Sequence, residues 1–209
     1  MTPQDFLELF LQQTITFFAI LDPIGVSAIM LSLLHTNITT KQTKQVAKKV
    51  TLTIVFAFFV IFFAGNFLLV LFGININAVK IIGGIVLLLM SIKMIQGTAA
   101  SKRNTDGDNH DDLAIVPIAI PILFGPGIFS TIIILAESNQ TFVDNATTIS
   151  AFLFNALFVY IIFRNSVHIK KVLSLTGQNI ITKLMGLIVG AIAVQFIIGG
   201  ITQLVKIYS

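Results

Sequence analysis

The chain has 209 residues, 56% of them hydrophobic and only 11% charged, with no cysteine and no tryptophan. A soluble domain of this length cannot hide that much apolar surface, so lipid is the solvent for most of it; the missing cysteines exclude disulfides, thiolate metal sites and cysteine nucleophiles. The net charge of +4 is scattered over short loops, without a basic helix or an aromatic-interleaved surface, so nucleic acid is not a partner and the Lys and Arg residues report topology instead.

The opening stretch MTPQDFLELF carries acids where a signal peptide would carry basic residues, and no small-residue cleavage pattern follows it. The first apolar segment is therefore expected to be retained. Six segments of the ~20 apolar residues that a membrane-crossing helix needs can be read in chain order, at about 6–34, 46–71, 76–97, 113–136, 147–165 and 180–206. Their continuous hydrophobicity fits helices rather than barrel strands. Lys41, Lys44, Lys48 and Lys49 fall in the first loop, Lys102 and Arg103 in the third, and Arg164, Lys170 and Lys171 in the fifth. The second and fourth loops have none, so the positive-inside bias predicts odd loops in the cytoplasm and both termini outside.

Sliding the chain on itself by 103 residues aligns Pro23 with Pro126, Ser27 with Ser130, Lys80 with Lys183, Gly83 with Gly186 and Gly97 with Gly200. None of these pairs is aliphatic, and all share one ungapped offset. The chain reads as a duplication: residues 1–97 form a first three-helix repeat, 98–112 a polar cytoplasmic linker and 113–209 a second repeat. An odd number of spans per repeat makes the second copy enter the membrane from the opposite side, which is an inverted-topology repeat. The expected fold is an all-α membrane protein of six transmembrane helices. The linker's Asp106, Asp108, His110, Asp111 and Asp112 fit no established metal loop and read as solvated charge.

Helices 1 and 4 are expected to be discontinuous. LDPIG falls near the middle of the first span and FGPG, at 124–127, near the middle of the fourth, where Pro117 and Pro121 also interrupt the ladder. Proline removes a donor, glycine relaxes the backbone, and the residue before proline leaves helical geometry. Unwound backbone in hydrocarbon survives only where protein or a watery cavity covers it, so two breaks at equivalent depth point to one shared cavity. Each second half-helix begins there, and its free N–H groups make a partial positive pole suited to a carboxylate. The expected donors are the amides of Gly25, Val26 and Ser27 and of Gly127, Ile128 and Phe129, assisted by the Ser27 and Ser130 hydroxyls.

Asp22 is the only acid within the apolar part of a span, a placement that costs about 2.5–3.5 kcal/mol on translocon scales. Two readings account for it, and they are compatible. One is a cap on the half-helix that starts after Pro23; the other is a partner for an ammonium group, a coupling cation or a proton. Gly186 and Gly190 form a G-x-x-x-G pair which, with Gly83 and Gly84, suits helix packing rather than ligand contact. Among the polar residues at membrane depth, Asn155 and Gln195 are expected to turn toward the cavity, while Lys80 and Lys183 snorkel at helix ends.

A channel would need rings of charge or carbonyls, which one carboxylate in six spans does not supply. An intramembrane enzyme would need an aspartic dyad, His-Glu-x-x-His or Gly-x-Ser-x-Gly, and the chain has none of these. No catalytic residue, metal or cofactor is expected. A small-solute transporter is the first reading, with a passive channel or an ion or small-solute exporter as the alternative.

The segments FFAILDPIGVSAIML, KIIGGIVLLLMSIKMI and IAIPILFGPGIFSTIII resemble those of the MarC family of bacterial and archaeal inner-membrane proteins over nearly the whole chain. The resemblance implies transport of small neutral amino acids such as glycine and alanine, and kinship with LysE-type exporters. It implicates Asp22, Pro23, Gly25, Gly125, Pro126 and Gly127, and it implies a bacterial inner-membrane location. The coupling ion, proton or sodium, and self-association into a homo-oligomer stay open.

Overall fold

A computed structural model describes residues 3–33, 40–97, 114–139 and 141–208. The linker at 98–112, with its Asp and His group, lies outside the described residues. Within them the chain is helical throughout. The elements are α1 (Pro3–Leu21), α2 (Pro23–Leu33), α3 (Thr40–Phe72), α4 (Ile76–Gln96), a π-wound α5 (Ala114–Leu123), α6 (Pro126–Ser138), α7 (Phe142–Arg164) and α8 (Ser166–Tyr208).

Local chemistry fixes most of the ends. Asn75 caps α4 by accepting the Asn77 amide at 2.8 Å, and Gly97 closes it in the left-handed region at φ 76°, where glycine carries no steric penalty. Thr141 and Asp144 form a reciprocal capping box at the start of α7. Pro117 and Pro121 each lack an N–H, so an α-ladder cannot persist across α5. The wider winding shows in the Phe124 amide, which donates five residues back to Ala119 at 2.8 Å. Ser174, at φ 52°, bends α8 near its start.

Among the described residues, five stretches are long and apolar enough to cross a membrane: Asp5–Leu31, Lys41–Phe72, Ile76–Gln96, Phe142–Arg164 and Thr176–Tyr208. The segment expected as a discontinuous fourth crossing is divided between α5 and α6 and is not among these five. With 13 residues, α6 extends about 20 Å at 1.5 Å per residue, short of the ~30 Å hydrocarbon core.

The packing is reciprocal. α4 lies along α8 and α3 along α7; α2 packs on α8 as α6 packs on α4, and α1 packs on α7 as α5 packs on α3. Small residues set the α4–α8 approach: a Cβ at Gly84 would stand 2.7 Å from the Ala193 carbonyl oxygen, one at Gly200 2.7 Å from that of Asn77, and one at Gly190 2.7 Å from Ser91 Oγ. Phenylalanines fill the other seam. Phe58 of α3 stacks on Phe152 of α7 with ring centroids 4.0 Å apart, and Phe17 of α1 meets Phe152 edge-on at 5.3 Å. Phe56, Phe63, Phe67 and Phe72 of α3 stay exposed, as a lipid-facing surface requires.

Candidate functional site

The two helix junctions meet. Asp22, Gly25 and Val26 from the first and Gly125, Pro126, Gly127 and Ile128 from the second line one cavity of about 640 Å³, within the size range of small-molecule sites. Much of its remaining wall comes from the C-terminal half of α4 and from the part of α8 that carries Gln178 and Thr182.

At the first junction Asp22 separates α1 from α2. Its backbone sits at φ 38°, in the left-handed region that a non-glycine residue rarely adopts. Its amide still donates to the Phe18 carbonyl at 3.0 Å, and its own carbonyl accepts the Val26 amide at 2.9 Å, so the ladder bends without losing both bonds. The carboxylate turns back over α2 and accepts the Gly25 amide at 3.2 Å, the geometry of a helix cap. Thr182 of α8 hydrogen-bonds the same carboxylate from across the bundle. Asp22 is only 5% exposed.

The space above Gly25 is filled by this arrangement. A Cβ there would collide with Asp22 Oδ2 and Thr182 Oγ1 together. Glycine at 25 therefore makes the Asp22–Thr182 contact sterically feasible, whatever its effect on backbone freedom.

At the second junction Gly125 occupies the N-cap of α6 at φ −87°, ψ −178°, with Pro126 in the first turn and no side-chain cap. Phe129 begins the intrahelical ladder by donating to the Gly125 carbonyl at 3.1 Å. Gly127 brings this turn against α4, where a Cβ would stand 2.7 Å from Leu87 Cδ2.

Several expected donors are already committed. The amides of Gly25 and Val26 are taken by Asp22 and that of Phe129 by Gly125. The Ser27 hydroxyl donates to the Ile24 carbonyl at 2.7 Å and that of Ser130 to Pro126 at 2.9 Å, each bonded back into its own helix. Of the six amides named from the sequence, those of Gly127 and Ile128 keep the first-turn position in which an α-helix supplies no partner. Pro23 is buried and acts as the first residue of α2 rather than as cavity wall.

Asn155 and Gln195 do not reach the cavity. Asn155, 1% exposed, donates its Nδ2 to the Thr14 carbonyl at 3.1 Å, tying α7 to α1, and to that of Ala151 at 2.9 Å within α7. Gln195 lies exposed on α8. The polar residues that do line the cavity from α8 are Gln178, Asn179 and Thr182. Gln178 is 1% exposed, and neither its Oε1 nor its Nε2 has a partner among the described residues.

Comparison with known proteins finds membrane-protein relatives over nearly the whole chain. The model of the MarC family, "MarC family integral membrane protein", matches residues 7–205. A UPF0056 membrane protein of Aquifex aeolicus is 28% identical, with 97% of each chain covered. Another, from Buchnera aphidicola of Schizaphis graminum, is 33% identical over 89% of this chain and 88% of its own. The UPF0056 membrane protein MJ1677 of Methanocaldococcus jannaschii is 32% identical over 93% and 97%. No solved structure matches the chain significantly.

Proposed function

The chain belongs to the MarC family and is an integral, multi-pass membrane protein, and from that premise we propose that it is a secondary transporter of small neutral amino acids of the glycine and alanine size. One observation carries the reading. Two helix junctions, 103 residues apart in a chain that aligns with itself at that offset, line the same cavity.

The cavity offers opposite ends to a zwitterion. Asp22 supplies a buried negative charge for an ammonium group, and the first turn of α6 supplies N–H groups with the partial positive charge of a helix N-terminus. Glycines at 25, 125 and 127 keep the walls close and favour a small side chain.

In this proposal α1–α2 and α5–α6 are the discontinuous first and fourth membrane crossings, which brings the total to six. The reciprocal packing of α2 on α8 and α6 on α4 supports an inverted repeat, and alternating access follows from one repeat rocking against the other. Lys93 and Gly97, at the end of α4 that leads into the linker, are part of the cavity wall. With the linker in the cytoplasm, the described conformation faces inward.

Counterflow tests the proposal. Liposomes containing the protein and preloaded with unlabelled glycine are expected to take up labelled glycine faster than unloaded ones. Uptake that ignores the internal glycine would instead support a channel.

A further inference from the structure

The repeat offset that pairs Pro23 with Pro126 also sets Gly125 opposite Asp22. Each stands at the N-cap of the second half-helix, just before the proline. Their backbones would favour the opposite assignment. Asp22 sits at φ 38°, where glycine is at ease, and Gly125 at φ −87°, ψ −178°, an extended conformation in which aspartate is a preferred cap. A strained aspartate and an unstrained glycine in these two places call for a reason beyond local stability.

The consequence is an asymmetric pair of helix N-termini on one cavity. On α2 an internal carboxylate accepts the Gly25 amide. On α6, a helix of 13 residues, no side chain caps the first turn. A second, independent feature belongs to the wall of the same cavity: Gln178, 1% exposed, with both amide atoms lacking a partner among the described residues. Burying such an amide is costly unless something completes its hydrogen bonds.

We infer that the substrate's carboxylate docks on the first turn of α6 as a surrogate for the capping carboxylate that Asp22 provides on α2, and that Gln178 is a substrate-binding residue at the same subsite. The inference rests on the transporter reading and deepens it. The Gly127 and Ile128 amides donate to the carboxylate, and Gln178 donates through Nε2. Its Oε1 accepts from the ammonium group of the same molecule. Gly125 is small so that the ligand, not the protein, fills the cap.

The test is thermal unfolding of the purified full-length chain in detergent, titrated with glycine and separately with acetate and methylammonium. Glycine is expected to raise the midpoint of the wild type in a concentration-dependent way, more than either half-ligand. Gly125→Asp places a carboxylate in the cap and is expected to abolish the glycine response while the ligand-free protein stays folded. Gln178→Leu is expected to weaken the apparent glycine affinity about tenfold, as losing a hydrogen bond to a charged group does. A Gly125→Asp protein that still responds to glycine like the wild type overturns the subsite and leaves the transporter reading standing. Should Gly125→Asp fail to fold, an unchanged glycine affinity in Gln178→Leu overturns it. A wild type that no amino acid stabilises removes the transporter reading itself, and the subsite with it.

Discussion

Thr182 of α8 hydrogen-bonds the carboxylate of Asp22, and the two meet over Gly25. This contact secures the α1–α2 junction to α8, so the bend at Asp22 is held by tertiary structure as well as by its own cap. Thr182→Val keeps the shape and removes the donor. It is expected to lower stability by about 1–3 kcal/mol, the cost of leaving a buried acceptor short of a partner; Thr182→Ser should retain most of it. Thermal unfolding in detergent compares the three proteins.

Gly25→Ala adds one methyl where two oxygens already stand. Relief requires Asp22 or Thr182 to move, at an expected cost of about 1–3 kcal/mol for overpacking. Glycine uptake into liposomes should fall further than stability does, because the displaced groups belong to the cavity wall. Uptake at the wild-type rate would show that the Asp22–Thr182 contact is dispensable for transport.

Asp22→Asn keeps the hydrogen-bonding shape and removes the charge. Folding is expected to survive, as judged by a single detergent-exclusion peak, while glycine uptake drops by about tenfold or more, the loss expected when a charge-assisted contact of 1.4 kcal/mol or more goes. Uptake equal to the wild type would leave Asp22 as a helix cap alone.

Asn155 offers a contrast. Its bond to the Thr14 carbonyl joins α7 to α1 away from the cavity, while its bond to the Ala151 carbonyl stays within α7. Asn155→Leu should therefore lower the unfolding temperature, by an interhelical bond worth about 1 kcal/mol, and leave the glycine affinity unchanged. An altered affinity would place Asn155 in the binding machinery.

Much of this architecture was legible in the sequence because apolar length, proline and glycine act locally. The hydrophobic runs marked the long helices, and LDPIG and FGPG marked the places where α2 and α6 begin. The glycines at 84, 190 and 200 meet neighbouring helices, as small residues in a membrane interior tend to.

The side chains that complete the cavity were not legible. Gln178 and Thr182 sit on α8 within an ordinary mixture of polar and apolar residues, and only the α2–α8 packing brings them to Asp22. Gln195 looked equivalent in the sequence, yet its face of α8 points outward. Backbone bonding was equally hidden: the Gly25 amide is consumed by the Asp22 carboxylate folding back over its own helix, and the Val26 amide by the Asp22 backbone carbonyl. The one sequence signal that distinguishes the two half-helices is the pairing of Asp22 with Gly125.

A small amino acid is expected to occupy the space between these junctions. The chain has no native cysteine, so single cysteines report on that space without background. Met90→Cys, on the cavity wall, and Ala146→Cys, exposed near the start of α7, are each treated with a maleimide with and without glycine. Glycine is expected to slow labelling at position 90 and leave position 146 unaffected. Equal labelling at position 90 at every glycine concentration would contradict the claim.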